Sequence, residues 1–238
     1  MTELLYMPDN EYQKQFEAEV VKSRDNEGYI CLDRTLFYKE GGGQPADHGT
    51  LTWDGGEAEV ADVQRKNGEI RHQVDNVPEE GTDVRGEIDW DRRYRHMRMH
   101  TAQHVVSYVV LQMFDGSTAG NQIHEDYSRI DFEPVEFDEE DVEKIEKAAN
   151  SIIEKDYDVT KKMQDRQKVE EQVEEGRTNL DLIPDSVDPL RIVEIGEIDM
   201  CPCGGTHVDS TGEIGGINIR ERRSKGSNVE RLEFVLED

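Results

Sequence analysis

The stretch from Tyr94 to Phe114 reads YRHMRMHTAQHVVSYVVLQMF. Its apolar residues recur with the period of an α-helix, and it contains neither proline nor glycine, the two residues that interrupt helices. The residues before it follow the two-residue period of β-strands instead. We therefore predict that a helix here opens a second domain, and we place the boundary near Asp91.

Residues 1–91 predict short strands separated by turns. Asn67-Gly68 lies between two alternating segments and is a strong signal of a tight hairpin. Many short strands at this spacing are typical of a small barrel, so we predict a glycine-rich β-barrel domain over 1–91. The predicted strands are Phe16–Val21, Tyr29–Leu32, Gly49–Trp53, Ala58–Val63, Ile70–Val74 and Val84–Ile88.

Residues 92–238 mix helical and strand patterns, which predicts an α+β domain. Asp138 stands where it can cap a second helix, and a third, very polar helix is predicted between Asp165 and Glu175. A strand or hairpin is expected after Asp115. The other predicted strands are Arg129–Phe132, Leu190–Ile195, Gly216–Arg222 and Val229–Leu236, the last two joined by a turn near Lys225–Ser227.

Two short motifs each carry two metal-ligating side chains four positions apart. His100 and His104 occupy positions i and i+4 of the predicted helix and therefore share one of its faces. Cys203 and His207 enclose two glycines, which permit a tight loop. Three nitrogens and one sulfur suit zinc better than magnesium or calcium, which prefer oxygen. We predict a zinc site; the competing interpretation is a polar helix face and an unrelated glycine turn.

The residues alone leave two roles open for such a site. Four protein ligands are typical of a structural zinc, whereas a catalytic zinc keeps one position for water. Cys201 could compete for the ion, but Cys203 is favoured because it shares the glycine turn with His207. Thr101 stands where zinc peptidases with the pattern H-E-x-x-H carry their glutamate, so a peptidase is not expected.

The composition is strongly acidic. The 238 residues include 55 Asp and Glu against 28 Lys and Arg, for a formal net charge of -27. Such a surface is typical of a cytoplasm of very high salt, where ions screen the repulsion between carboxylates, so we predict a halophilic, cytoplasmic protein. Three cysteines do not suggest a disulfide framework. No apolar stretch is long enough to span a membrane, and we expect neither a membrane nor a DNA partner.

Together, the two motifs make the chain resemble the alanyl-tRNA editing proteins of the freestanding AlaX type, in its medium-length form. The chain also resembles the editing domain of alanyl-tRNA synthetase. The resemblance runs in the family's order over nearly the whole chain. The segments that carry it are Phe37–Gly49, His100–His104, Arg129–Phe132, Cys203–Val208, Thr211–Gly215 and Lys225–Phe234.

The resemblance implies a trans-editing hydrolase. It implies that the substrate is mischarged seryl-tRNA(Ala), with the glycyl form as a second substrate. It also implies that the zinc ligands, and with them the catalytic centre, are His100, His104, Cys203 and His207.

An editing site of this kind must recognise what distinguishes serine from alanine, one hydroxyl. A site that hydrogen-bonds this hydroxyl spares alanine, which would leave the partners unpaired. Asn121 and Gln122 fit the family's discriminating region, and Thr101 and Gln103 share the metal helix. We predict that these four residues bind substrate. The other interpretation of Asn121 and Gln122 is an ordinary polar loop.

Further candidates lie in a glycine-rich loop and two basic clusters. Gly42, Gly43 and Gln44 are predicted to support the site or its RNA; three glycines before Gln44 are equally a tight connection between strands. The residues predicted to contact RNA are Arg93, Arg95, Arg98, Arg222, Arg223 and Lys225. The competing interpretation pairs these arginines with nearby acids such as Asp89, Asp91 and Glu221.

Two other functions compete with editing of alanine tRNA. The first is a non-catalytic, zinc-stabilised RNA-binding module that uses the same four ligands as a closed site. The second is the editing domain of threonyl-tRNA synthetases, which also carries H-x3-H and C-x3-H.

Overall fold

The computed structural model describes residues 2–178, 180–226 and 228–237. Ser227, in the predicted hairpin turn, lies outside the described residues. The chain forms two compact units, Met1–His96 and Met97–Asp238. The first unit therefore extends beyond the predicted boundary at Asp91 into the first turns of a helix.

The chain contains three α-helices and fifteen strands among its described residues. The helices are α1 (Trp90–Phe114), α2 (Glu139–Glu154) and α3 (Arg166–Gln172). The strands are β1 (Glu3–Leu4), β2 (Gln15–Arg24), β3 (Tyr29–Leu32), β4 (Arg34–Thr35), β5 (Gly49–Trp53), β6 (Gly56–Lys66), β7 (Glu69–Val74), β8 (Asp83–Ile88), β9 (Ser117–Ile123), β10 (Ser128–Glu133), β11 (Val159–Gln164), β12 (Leu190–Ile195), β13 (Asp199–Pro202), β14 (Ile217–Gly226) and β15 (Val229–Leu236). Among the described residues, no helix is long and apolar enough to cross a membrane.

The first unit is built around a closed six-stranded barrel. Its strands are hydrogen-bonded in the order β2-β3-β7-β6-β5-β8. Alternate residues of β2 point inward, so this strand reads exposed, buried, exposed along Gln15–Val20. The core of this unit includes Phe37, Leu32 and Leu51, all fully buried. The predicted barrel is confirmed.

Helix α1 begins at Trp90, four residues before the predicted start at Tyr94. Asp89 explains the earlier start, because its carboxylate accepts a hydrogen bond from the backbone N–H of Arg92 at 3.1 Å. A side-chain acceptor at this position satisfies a donor that the first helical turn leaves unpaired.

The second unit holds two antiparallel sheets and the remaining helices. The larger sheet has the order β14-β15-β10-β9, and the smaller has the order β11-β12-β13. Helix α2 is capped by Asp138 as predicted, and its Asn150 exchanges two hydrogen bonds of 2.9 Å with the backbone of Ile217 in β14. Helices and separate antiparallel sheets confirm the predicted α+β class.

Candidate metal centre

The structure brings together the four side chains of the two metal motifs. One ligand atom from each of His100, His104, Cys203 and His207 lies within 4.8 Å of the other three. Cys203 Sγ is 3.3 Å from His207 Nε2 and 3.5 Å from His100 Nε2. The three histidines are buried and Cys203 is half-buried. The set can therefore hold a metal ion through three nitrogens and one thiolate.

Helix α1 positions the two histidines of the first motif. His100 and His104 are one turn apart on the same face, with ring centroids 5.4 Å from each other. The valines that follow, Val105, Val106 and Val109, are all buried. Burial of this segment fixes the rotation of the helix and hence the direction of both imidazoles.

The loop after β13 carries the second motif and is held by an arginine that the sequence analysis missed. Arg191, on β12, donates hydrogen bonds to the carbonyl oxygens of Cys203 at 2.9 Å and Gly205 at 2.8 Å. The backbone N–H of Cys203 donates in turn to the Arg191 carbonyl at 3.0 Å. Arg191 is buried, and no spacing in the sequence distinguishes it from a surface arginine on a strand.

Burial keeps the three imidazoles uncharged at neutral pH. Burial, with a smaller effect of the Arg191 charge, lowers the pKa of His100 to about 3. Burial likewise lowers the pKa of His104 and brings that of His207 well below its ordinary value. Neutral imidazole is the form that has a lone pair for a metal.

Cys203 and Cys201 differ in the ease with which they lose a proton. Burial acts to raise the pKa of Cys203, but hydrogen bonds with His104 and from the N–H of Gly205 outweigh it and lower that pKa. The Gly205 N–H lies 3.4 Å from the sulfur. Burial raises the pKa of Cys201 to about 12. The prediction that Cys203 rather than Cys201 serves as the ligand agrees with these environments.

A buried ion pair that the sequence analysis also missed lies beside His104. Arg177 donates to the two carboxylate oxygens of Asp199 at 2.6 and 2.7 Å. The same guanidinium is 3.3 Å from His104 Nδ1 and donates to the His104 carbonyl at 3.4 Å. The guanidinium therefore packs against the ring and backbone of His104 and helps to fix their position. Arg177 lies in a turn and Asp199 begins β13, 22 positions later, so no short local spacing in the sequence links them.

The predicted substrate-binding residues of the second unit divide into two groups. Gln103 and Asn121 contact each other, since the Asn121 amide donates to Gln103 Oε1 at 2.7 Å, and Gln103 donates to the Ser128 hydroxyl at 2.6 Å. Gln122 lies next to Asn121 on β9 and is half-buried. Thr101, by contrast, is fully buried and its hydroxyl contacts protein groups only. The prediction that Thr101 contacts substrate is therefore corrected.

The prediction that Arg93 contacts RNA is wrong. Its side chain is 0% exposed and forms an ion pair with Asp47, which is also 0% exposed. It also donates to the carbonyl oxygens of Glu11 at 2.9 Å and Leu36 at 2.7 Å. Hydrogen bonds to two backbone carbonyl oxygens and to a buried carboxylate leave this guanidinium no exposed surface for a phosphate. Helix geometry turns about one residue of each turn toward the protein interior, and in this run of basic residues that residue is Arg93.

The other predicted RNA-binding residues lie nearer the surface, and several have protein partners. Arg98 donates to the Ile214 carbonyl at 2.8 Å. Arg222 and Arg223 form bidentate pairs, with Glu230 at 2.7 and 3.0 Å and with Glu221 at 2.6 and 2.7 Å. The pairing of arginines with local acids, the competing interpretation, describes these two. Arg95 and Lys225 are exposed.

The glycine-rich segment of the first unit is a tight turn. The backbones of Gly41 and Gln44 exchange hydrogen bonds of 3.1 and 3.0 Å, and Gly42 and Gly43 between them have φ of 59° and 81°. Two successive positive φ angles define the turn that joins twisted strands, and glycine adopts them without strain. The Gln44 side chain is buried.

Comparison with known proteins gives two family matches and several relatives. Residues 7–92 match the family described as tRNA synthetases class II (A), and residues 190–233 match the Threonyl and Alanyl tRNA synthetase second additional domain. The alanyl-tRNA editing protein AlaX-M of Methanosarcina acetivorans is 42% identical over 247 residues, which cover 100% of both chains.

Two longer relatives contain a region like this chain. The alanyl-tRNA editing protein AlaX-L of Pyrococcus horikoshii is 37% identical over 99% of this chain and 58% of its own. The alanine–tRNA ligase of Methanopyrus kandleri is 40% identical over 98% of this chain and 26% of its own. A full-length match at this identity confirms the resemblance seen in the motifs: the chain belongs to the family of alanyl-tRNA editing proteins.

Proposed function

We propose that this protein is a zinc-dependent hydrolase that removes serine from mischarged seryl-tRNA(Ala) in trans, with glycyl-tRNA(Ala) as a second substrate. The observation that carries the proposal is the cluster of His100, His104, Cys203 and His207 in a chain that aligns end to end with an alanyl-tRNA editing protein.

The geometry of the cluster supports zinc as the metal. A tetrahedral zinc with bonds of about 2.3 Å to sulfur and about 2.0 Å to nitrogen separates those atoms by about 3.5 Å. The distances of 3.3 and 3.5 Å from Cys203 Sγ to the two histidine nitrogens are close to this value. A borderline-soft ion also suits the mixture of imidazole and thiolate better than calcium or magnesium does.

The residues around the metal prepare the site for ester hydrolysis. Zinc, when bound, supplies a Lewis acid that polarises an ester carbonyl and activates water at neutral pH. The chain contributes neutral imidazoles, each with a lone pair for the metal, and a thiol whose lowered pKa eases release of the proton that it must lose to bind zinc as thiolate. Cys203 is the half-buried member of the set, and we infer that substrate approaches on its side.

Gln103 and Asn121 are the residues we assign to recognition of the serine hydroxyl. Their side chains are hydrogen-bonded to each other, and Gln103 lies on α1 between the two ligating histidines. A serine hydroxyl would add a hydrogen bond to these side chains that alanine has no group to form, which is worth about 0.5–1.5 kcal/mol. Selection therefore favours the substrate that carries the additional hydroxyl.

Binding of RNA by a chain of net charge -27 requires a local exception to the acidic surface. We assign phosphate contacts to the exposed Arg95 and Lys225, and to Arg222 and Arg223 after exchange of their glutamate partners for phosphate. Because counterion release contributes little in high salt, shape and hydrogen bonds to the terminal nucleotides supply more of the affinity.

The test is release of labelled amino acid by the zinc-loaded protein in molar KCl. Seryl-tRNA(Ala), glycyl-tRNA(Ala), correctly charged alanyl-tRNA(Ala) and seryl-tRNA(Thr) are compared under the same conditions. We expect release of serine from tRNA(Ala) with alanine spared. Equal release from tRNA(Thr) would favour the threonyl-type function, and retained RNA binding without any release would favour the closed, non-catalytic zinc module.

A further inference from the structure

The hydroxyl of Thr101 lies among three polar groups, one of which belongs to a predicted metal ligand. Thr101 sits between His100 and His104 in sequence, and its side chain is 0% exposed. Its Oγ1 is 3.0 Å from the Met97 carbonyl oxygen, 3.2 Å from Nδ1 of His207 and 3.3 Å from the backbone nitrogen of Val208. The proposed function gives this arrangement no role.

Hydrogen-bond capacity restricts how these groups can pair. A hydroxyl has one proton to donate and two lone pairs to accept with. The Val208 N–H can only donate, so it uses one lone pair of Thr101 Oγ1. The Met97 carbonyl can only accept, so it takes the Thr101 proton, as threonines inside helices commonly donate to the carbonyl four residues back. One lone pair then remains for His207, whose Nδ1 must carry a proton.

We propose that Thr101 is a positioning residue that holds His207 in the tautomer needed for metal binding. With the proton on Nδ1 and donated to Thr101, the lone pair of His207 lies on Nε2, the nitrogen that is 3.3 Å from Cys203 Sγ. The opposite tautomer would place a proton on Nε2, where the metal binds. This inference rests on the proposed metal site and names a residue that prepares it.

Thr211 provides a matched control in the same unit. It is also 0% exposed, its hydroxyl donates to the Ile152 carbonyl at 3.2 Å and accepts from the Tyr157 N–H at 2.9 Å. Replacement of either threonine by valine removes one buried hydroxyl of this pattern. Only Thr101 contacts a metal ligand, so a difference between the two variants isolates the contact with His207.

The experiment measures zinc affinity of full-length protein by competition with a chromogenic chelator in molar KCl. Thr101→Val is expected to weaken zinc binding by about 10–100-fold, the usual effect of losing a group that orients a ligand. Thr101→Ser, which keeps the hydroxyl, and Thr211→Val are expected to stay within about 3-fold of wild type. Folded Thr101→Val protein with wild-type affinity, or an equal loss in Thr211→Val, would overturn the proposal.

A second measurement uses the wild-type protein and therefore tests the proposal even if Thr101→Val fails to fold. Nitrogen-15 chemical shifts of the histidine rings in metal-free wild-type protein report which nitrogen carries the proton. We expect His207 in the Nδ1–H form, and the Nε2–H form would contradict the proposal. Absence of zinc binding by wild-type protein would instead refute the metal site and leave the tautomer measurement to decide the role of Thr101.

Discussion

Replacement of Arg177 by methionine is expected to affect both stability and metal binding. The Arg177 and Asp199 side chains are 5% and 3% exposed and are joined by two short hydrogen bonds. Methionine has a similar length but no charge, so the Asp199 carboxylate would remain buried without its partner. The same substitution removes the guanidinium that contacts the ring and carbonyl of His104.

The size of the two effects follows from these contacts. An unpaired buried charge costs about 3–5 kcal/mol, so Arg177→Met should lower the free energy of unfolding by that amount. Loss of a group that orients a ligating histidine should weaken zinc binding by about 10–100-fold. The double variant Arg177→Met/Asp199→Leu removes both charges, and its stability should return to within about 1 kcal/mol of wild type.

Denaturant unfolding and zinc competition, both in molar KCl, separate these effects. Unfolding is measured on metal-free protein so that bound zinc does not contribute to stability. The reasoning predicts that the double variant regains stability without regaining zinc affinity. A double variant that binds zinc as wild type does would show that the pair has no function at the site, and a stable Arg177→Met would show that the carboxylate is not buried as described.

Three further predictions concern the ligands, pH and salt. His104→Ala should lose both zinc binding and hydrolysis while His48→Ala keeps both, and an active, zinc-free His104→Ala would contradict the metal assignment. Burial lowers the pKa of His72 from 6.5 to about 4. As pH falls from 6.5 to 4, His72 therefore gains a proton in the unfolded protein but not in the folded protein, and the free energy of unfolding decreases. Because each pKa unit is worth about 1.4 kcal/mol, the loss should be about 3 kcal/mol smaller in His72→Gln, as measured by urea unfolding; equal losses would contradict the reasoning. As KCl falls from molar to millimolar, unscreened repulsion among the 55 acidic residues should unfold the protein. An unchanged near-UV circular dichroism spectrum would refute the halophilic prediction.

The elements that the sequence predicted correctly are those with strong periodicity. The longer barrel strands such as β2 alternate between exposed and buried residues, and α1 carries buried valines at positions 105, 106, 109 and 110. Strands β11 and β13 were missed. β11 contains two lysines and a glutamine, and β13 is four residues long and ends in a proline. Short polar strands are specified by pairing with a neighbour, here β12, rather than by their own residues.

The metal cluster could be predicted because its ligands follow fixed local spacings, whereas the groups around it could not. His100 and His104 are placed by helix geometry alone. Arg191, Arg177 and Asp199 reach the site from segments brought together only by folding. Charged residues of this kind are usually exposed. In so acidic a chain, the neighbouring residues do not mark which charged residues form buried pairs.

The central claim is that editing depends on the metal held by the four clustered side chains. Its most direct test is the rate of serine release from seryl-tRNA(Ala) in single-turnover reactions, plotted against the zinc content of protein that has been stripped by a chelator and then reconstituted in steps. The account predicts that the rate falls to background in stripped protein and rises in proportion to zinc up to one ion per chain. Full activity in protein free of zinc would contradict it.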